Sequence, residues 1–456
     1  METKKSYNYR AAFGAWINDV RLSSTPNDNW PCPVFDEETE RSIIASFDLQ
    51  QKAGFNICCM FGFFATYAWK QDIPQTVGKD RAERVNRVIA AARERGIKVM
   101  LGVGVYSWGF DEIIANNPEV QGDNPHAMCL SKETSYEWMK KVLDFIVDNF
   151  DFDGYHLEAS DQGRCRCESC QKYSDAEYYS IANAKCADYI RQKQPEAVLM
   201  VNMCGYIQPW GTHIETEAEC DALIELSGHI DYLLDPGHHT DRMVVGKLRE
   251  RLLKNMKCAL GSSGGFWVYS PPRWEPDRWF LVYVRRTGEF IKKMYAEGER
   301  AIEFYLGRTN NPGVEMNILC GGKILNDMDR PIGDVIHEAA GELYRPKDAE
   351  TQRKLADIFV RAESAYFDNL EPKIKEKDYA GELHVEPLFG TEPGNPIYFL
   401  DGRMDAEGRK KYRAELKGML EDLKTLEGRV GEEEKLERMA TCIKNVIKDI
   451  EAVAEK

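Results

Sequence analysis

Short apolar segments alternate with helical stretches from one end of the chain to residue 307, and this alternation narrows the fold more than any other feature. The apolar segments fall at 11–19, 55–63, 97–108, 152–158, 197–206, 230–236, 258–267 and 301–307. Apolar positions at helical spacing fill 38–53, 79–95, 132–149, 175–193 and 278–297. In the second stretch Val85, Ile89 and Ala90 share a face, and Gly96 follows as a cap. In the third, Trp138, Val142, Phe145 and Ile146 do the same. Strands separated by helices pair in parallel, because a parallel partner is reached only through a crossover. Eight such strands within about 300 residues predict a closed (β/α)8 TIM barrel of the α/β class rather than an open doubly wound sheet. The first strand is not followed by the Gly-x-Gly-x-x-Gly turn of a dinucleotide fold.

Beyond residue 307 the pattern changes. Residues 308–345 are mixed, and Pro312, Gly321 and Gly322 read as loop positions. Residues 349–369 are helical, with Leu355, Phe359, Ala362 and Tyr366 on one side. Residues 370–404 are rich in Pro and Gly and read as an irregular linker, and 405–456 form one or two long amphipathic helices with solvated charged faces. The expected organisation is a catalytic barrel over 1–310 and a mostly helical C-terminal region over 311–456.

With 75 acidic and 60 basic residues among 456, the formal charge is −15. A nucleic-acid partner is excluded by that balance, since neutralising phosphates takes a basic surface. No run reaches the roughly 18 apolar residues of a membrane span, so no membrane partner is expected. Thirteen cysteines, an odd number, lie mostly inside apolar segments, which suits a reducing cytoplasm better than a disulfide framework. The first six residues run into structured-looking sequence, so a cytoplasmic protein is the expectation, although a secreted chain with its leader removed would read alike. Oligomeric state is left open.

A barrel works from the C-terminal ends of its strands. The fourth strand delivers His156, Glu158 and, just beyond, Asp161; the sixth ends in Asp235 followed by His238; the eighth contains Glu303. Aromatics recur at the same ends: Trp16, Trp108, Tyr206, Trp267 and Tyr305. Flat aromatic faces beside acids fit a sugar, whose C–H groups stack while its hydroxyls seek carboxylates. Glycosidic cleavage needs a protonated acid at the leaving oxygen and a second carboxylate as nucleophile or base. Glu158 is the candidate acid, with Asp161, Asp235 and Glu303 as candidates for the second group. His156, His238 and the five aromatics are candidate substrate contacts. Desolvation at an enclosed mouth would keep such an acid protonated near neutral pH. A metal-dependent barrel hydrolase is the competing chemistry, but the first strand has no His-x-His and the chain only eight histidines. A barrel that binds carbohydrate without cleaving it is the other alternative. No cofactor is expected for catalysis.

Cys165, Cys167 and Cys170 crowd three thiols onto one short loop, and a fourth ligand from elsewhere would complete a structural zinc site. Asp-Gly-x-x-x-Glu on the fourth strand, followed by this Cys-x-Cys-x-x-Cys loop and by helices after the barrel, resembles the (β/α)8 glycoside hydrolases. The likeness is to bacterial barrel hydrolases related to the α-glucuronidases and the β-N-acetylglucosaminidase-type enzymes. It implies Glu158 as general acid and Asp235 as candidate base. The chain departs from these patterns in lacking the adjacent Asp-Glu pair of hexosaminidases and in offering no acid along Gly261-Ser-Ser-Gly-Gly-Phe266.

Overall fold

The computed structural model describes residues 4–13, 35–60, 69–107, 109–158, 163–203, 214–235, 243–263, 280–305, 311–370, 374–377, 383–385 and 404–454. Eight parallel strands close into a barrel in sequence order: β1 (Tyr9–Phe13), β2 (Ile57–Met60), β3 (Lys98–Gly104), β4 (Gly154–Glu158), β5 (Val198–Asn202), β6 (Tyr232–Asp235), β7 (Ala259–Ser263) and β8 (Ala301–Tyr305). Closure is made by β1 against β8, with Ala11 opposite Glu303. The described strands are shorter than the apolar segments.

Helices α1 (Glu37–Ala53), α2 (Pro74–Val77), α3 (Lys79–Glu94), α4 (Asp111–Asn116), α5 (Glu133–Asn149), α6 (Asp175–Lys193), α7 (Glu217–Leu226), α8 (Gly246–Asn255), α9 (Val284–Ala296) and α10 (Pro312–Asn326) lie along the chain between and after the strands. Their starts and stops follow local chemistry. Gly96 takes a positive φ of 69° just past α3, the left-handed position that ends a helix cheaply. Ser174 opens α6 with a reciprocal capping box, its hydroxyl accepting from Glu177 N at 3.2 Å while Glu177 accepts from Ser174 N at 2.7 Å.

Pro312, Gly321 and Gly322 are helical, which corrects the loop reading. Asn311 caps α10 by accepting from the Gly313 and Val314 amides, and Pro312 sits in the first turn, where its missing N–H costs nothing. The two glycines are there for contact. A Cβ at Gly321 would lie 2.2 Å from the Phe304 ring, and one at Gly322 2.5 Å from the Ala53 carbonyl oxygen. Side chains at these positions would push α10 off β8 and α1, so the ring of helices is completed by residues past 310. Phe304 also meets Phe55 edge-on at 5.4 Å, a pairing worth about 0.5–1.5 kcal/mol beyond its burial.

Four further helices follow: α11 (Ile332–Tyr344), α12 (Ala349–Phe367), α13 (Ala406–Lys424) and α14 (Glu433–Ala454). They share an apolar core with α9 and α10 through Val314, Leu319, Val335, Phe359, Met439 and Ile443. Polar contacts fix the docking. Lys323 Nζ pairs with Glu338 and Glu342 at 2.7 and 2.8 Å, and the Arg285 and Arg286 amides at the start of α9 donate to the buried Glu363 carboxylate at 3.0 and 2.9 Å. That last contact explains why α9 begins at Val284 rather than near 278: its first-turn amides find their acceptor on α12. Most of the expected linker at 370–404 lies outside the described residues; within it 374–377 and 383–385 pair antiparallel. Among the described residues no helix is long and apolar enough to cross a membrane.

Candidate active site

The carboxyl end of β4 is where the candidate residues meet. Gly154, His156 and Glu158 alternate with Tyr155 and Leu157, as a strand's period of two requires. Tyr155 turns outward to α6, its hydroxyl 2.9 Å from Gln194 Oε1, so His156 and Glu158 face the barrel axis. The inward residues of β2 and β8 at the level of His156 are Cys59 and Glu303, which gives one interior layer drawn from even-numbered strands.

Distances tie this layer to Glu158 above it. His156 Nε2 lies 3.5 Å from Glu158 Oε2, and His156 Nδ1 lies 3.5 Å from Glu303 Oε2 and 3.1 Å from Cys59 Sγ. One imidazole thus stands between two carboxyl groups. His156, Glu303 and Cys59 are fully buried, and Glu158 is 4% exposed.

Burial dominates the electrostatics. It pushes the Glu303 carboxyl well above the ordinary carboxylate range and the Cys59 thiol above its own, and it depresses His156 to about 3. Burial thus favours the uncharged form of each group in the layer: carboxyl, thiol and imidazole. The Cys59 thiol and the Nδ1 side of the ring form a hydrogen-bonding pair, and the Nε2 side faces Glu158.

Asp235 stands differently. Its carboxylate accepts the Met243 and Val244 amides at 2.9 and 3.4 Å, with Arg249 Nη1 at 3.7 Å. Arg249 continues to Glu299 at 2.7 Å, and Glu299 accepts the Ser262 hydroxyl at 2.6 Å. This buried chain anchors the return from β6 into α8 against the ends of β7 and β8.

Asp161, Trp16, Trp108, Tyr206, His238 and Trp267 lie outside the described residues, as does the Tyr305 side chain, whose backbone belongs to β8. Cys165, Cys167 and Cys170 do converge, and Cys129, from the connection between β3 and α5, joins them. Cys129 Sγ is 3.7 Å from Cys167 Sγ and 3.6 Å from Cys170 Sγ, and all four sulfurs lie within 4.8 Å of one another. The sequence reading missed Cys59 and Cys129. The inward phase of β2 could have singled out Cys59; nothing local marks Cys129.

No protein-family profile matches the chain, and no curated protein sequence matches it. Among solved structures, a GH138 enzyme targeting pectin rhamnogalacturonan II is similar over 98% of this chain, with a TM-score of 0.61 and 11% identity. The chain spans 58% of that protein's length. A β-N-acetylhexosaminidase from Bacteroides fragilis is 12% identical over 71% of this chain and 67% of that one, at a TM-score of 0.45. An α-amylase from Anoxybacillus is 10% identical over 80% and 81%, at 0.42. At 11% identity the first likeness is one of fold, and it agrees with the closed eight-stranded barrel and its helices.

Proposed function

We propose that the chain hydrolyses a glycosidic bond at the carboxyl-terminal mouth of the barrel, with Glu158 as proton donor to the leaving oxygen. The observation that carries this reading is the position of Glu158: last residue of β4, facing the axis, with His156 and then Glu303 beneath it. A proton donor must be held at a fixed point and in a protonatable state, and a neutral imidazole contributes to both without adding charge. Glu303, sealed in the layer below, acts through His156 as a positioning residue. The second carboxylate that meets the sugar is then Asp161 or Asp235. Asp235 is engaged by two amides and lies beside Arg249. Trp16, Trp108, Tyr206, His238, Trp267 and Tyr305, all at or after strand ends, are assigned to the sugar rings.

The likeness to a GH138 enzyme supports the same reaction class and suggests pectic oligosaccharides as one substrate set to try. The test is a screen of the full chain against aryl glycosides, uronides included, and pectic fragments. Hydrolysis of at least one class, lost in Glu158→Gln and in one of Asp161→Asn or Asp235→Asn, is the expected result. Binding without turnover across the panel would overturn it in favour of a carbohydrate-binding barrel.

A further inference from the structure

The four cysteines form a group of their own, with no member in common with Cys59, His156 and Glu303. Cys129 belongs to the connection from β3 to α5, and Cys165, Cys167 and Cys170 to the connection from β4 to α6, so they bridge two neighbouring loops of the same barrel face. They are not disulfides: sulfurs 3.6 and 3.7 Å apart stand far beyond the roughly 2.05 Å of an S–S bond. They fit a single small cation. Four thiolates around one zinc at about 2.3 Å have neighbouring sulfurs about 3.8 Å apart by tetrahedral geometry.

The surroundings are built for such a group. Cys129 Sγ also lies 3.0 Å from the Ser131 hydroxyl, two residues along the same loop. Arg164, itself buried, gathers the loop from within by donating to the carbonyls of Cys165, Cys170 and Tyr173 at 3.0, 3.1 and 2.6 Å. The Arg166 amide donates to Asp123 Oδ1 at 2.6 Å, joining the two loops a second time. Gly122 completes the fit, since a Cβ there would lie 2.2 Å from Cys165 Sγ. Without an ion, four largely buried thiols would face one another with little to gain.

We infer that Cys129, Cys165, Cys167 and Cys170 bind one zinc ion in a closed four-thiolate site that clamps the β3–α5 connection to the β4–α6 connection. All four ligands come from the protein, so the ion has no open position and its role is structural. The site stands apart from the glycosidase reading, and its test does not depend on turnover. Full-length protein purified under reducing conditions should contain one zinc per chain by elemental analysis. Cobalt exchanged into it should give the intense thiolate-to-metal absorption of a tetrahedral four-sulfur site. Cys129→Ser should lose stoichiometric zinc or shift that spectrum to three sulfurs, whereas Cys258→Ser, on β7's approach, should do neither. Wild-type protein with no zinc before or after zinc reconstitution, with iron in its place, or with all four thiols alkylated as quickly after zinc addition as before, would overturn the assignment. So would Cys129→Ser with full zinc and an unchanged cobalt spectrum.

Discussion

Glu303 and His156 make opposing contributions to stability as pH changes, and removing either should expose the other. Burial lowers His156 from its ordinary 6.5 to about 3, so as pH falls below 6.5 the unfolded chain takes up a proton that the folded ring refuses. Stability from that group is present above pH 6.5 and is lost on acidification. Burial raises Glu303 above its ordinary 4.5, so as pH rises past 4.5 the unfolded chain releases a proton that the folded carboxyl keeps. Stability from that group is present below pH 4.5 and is lost as pH rises. Between these two values the folded pair and the unfolded pair each hold one proton, and their slopes cancel. The cancellation does not depend on which member of the folded pair carries the proton. Cys59 and Tyr9, both pushed upward by burial, stay neutral throughout.

In Glu303→Gln the His156 contribution stands alone, so stability should rise by about 2–3 kcal/mol between pH 4.5 and 6.5, at roughly 1.4 kcal/mol per pH unit. His156→Gln should lose a similar amount relative to wild type over the same interval, about 2–3 kcal/mol. Urea unfolding followed by tryptophan fluorescence at three or four pH values, at constant ionic strength, reads both slopes. Only the slopes matter, since each substitution also shifts the whole curve by its packing cost. Two variant curves parallel to wild type would refute the picture of a buried one-proton pair.

Glu158→Gln should slow hydrolysis of substrates with poor leaving groups by about 10²- to 10⁴-fold, and nitrophenyl glycosides less in their bond-breaking step, as measured by kcat/KM for the two kinds. Glu363→Ala leaves two amides at the start of α9 without their acceptor and should cost about 1–3 kcal/mol, read as a lower urea midpoint. Gly321→Val drives a side chain into the Phe304 ring and should destabilise by about 1–3 kcal/mol or prevent folding, checked by circular dichroism and thermal melting.

What the sequence shows well is what repeats along it. Parallel strands covered on both sides are continuous apolar runs, so all eight were legible, and α3, α5 and α6 were placed to within a residue or so of their described ends. Ends set by distant partners were not. The start of α9 is fixed by Glu363, far along the chain, and the glycines of α10 read as loop residues because a glycine permitting close packing and one permitting a turn look alike in one dimension. The cysteine cluster divides the same way. Cys165, Cys167 and Cys170 advertise themselves by proximity, while Cys129 is one more apolar-segment thiol until two loops are brought together.

The carboxyl pair at the centre of the barrel lies between these cases. Glu303 is in mid-strand, and period two places it on the side opposite Ile302 and Phe304, which pack outward under the helices. An acid on the inner face of a parallel strand cannot reach bulk water, so it must be neutral or have a polar partner. The interior of an eight-stranded barrel is layered by alternate strands, so partners of a β8 residue are sought on β2, β4 and β6. On β4 the inward positions are Gly154, His156 and Glu158, and only His156 can both share the level of Glu303 and leave Glu158 above it at the strand end. The contact was therefore derivable once the barrel was accepted. What the sequence does not show is Cys59, whose thiol occupies the Nδ1 side of the ring, so that the Nε2 side is the one that faces Glu158.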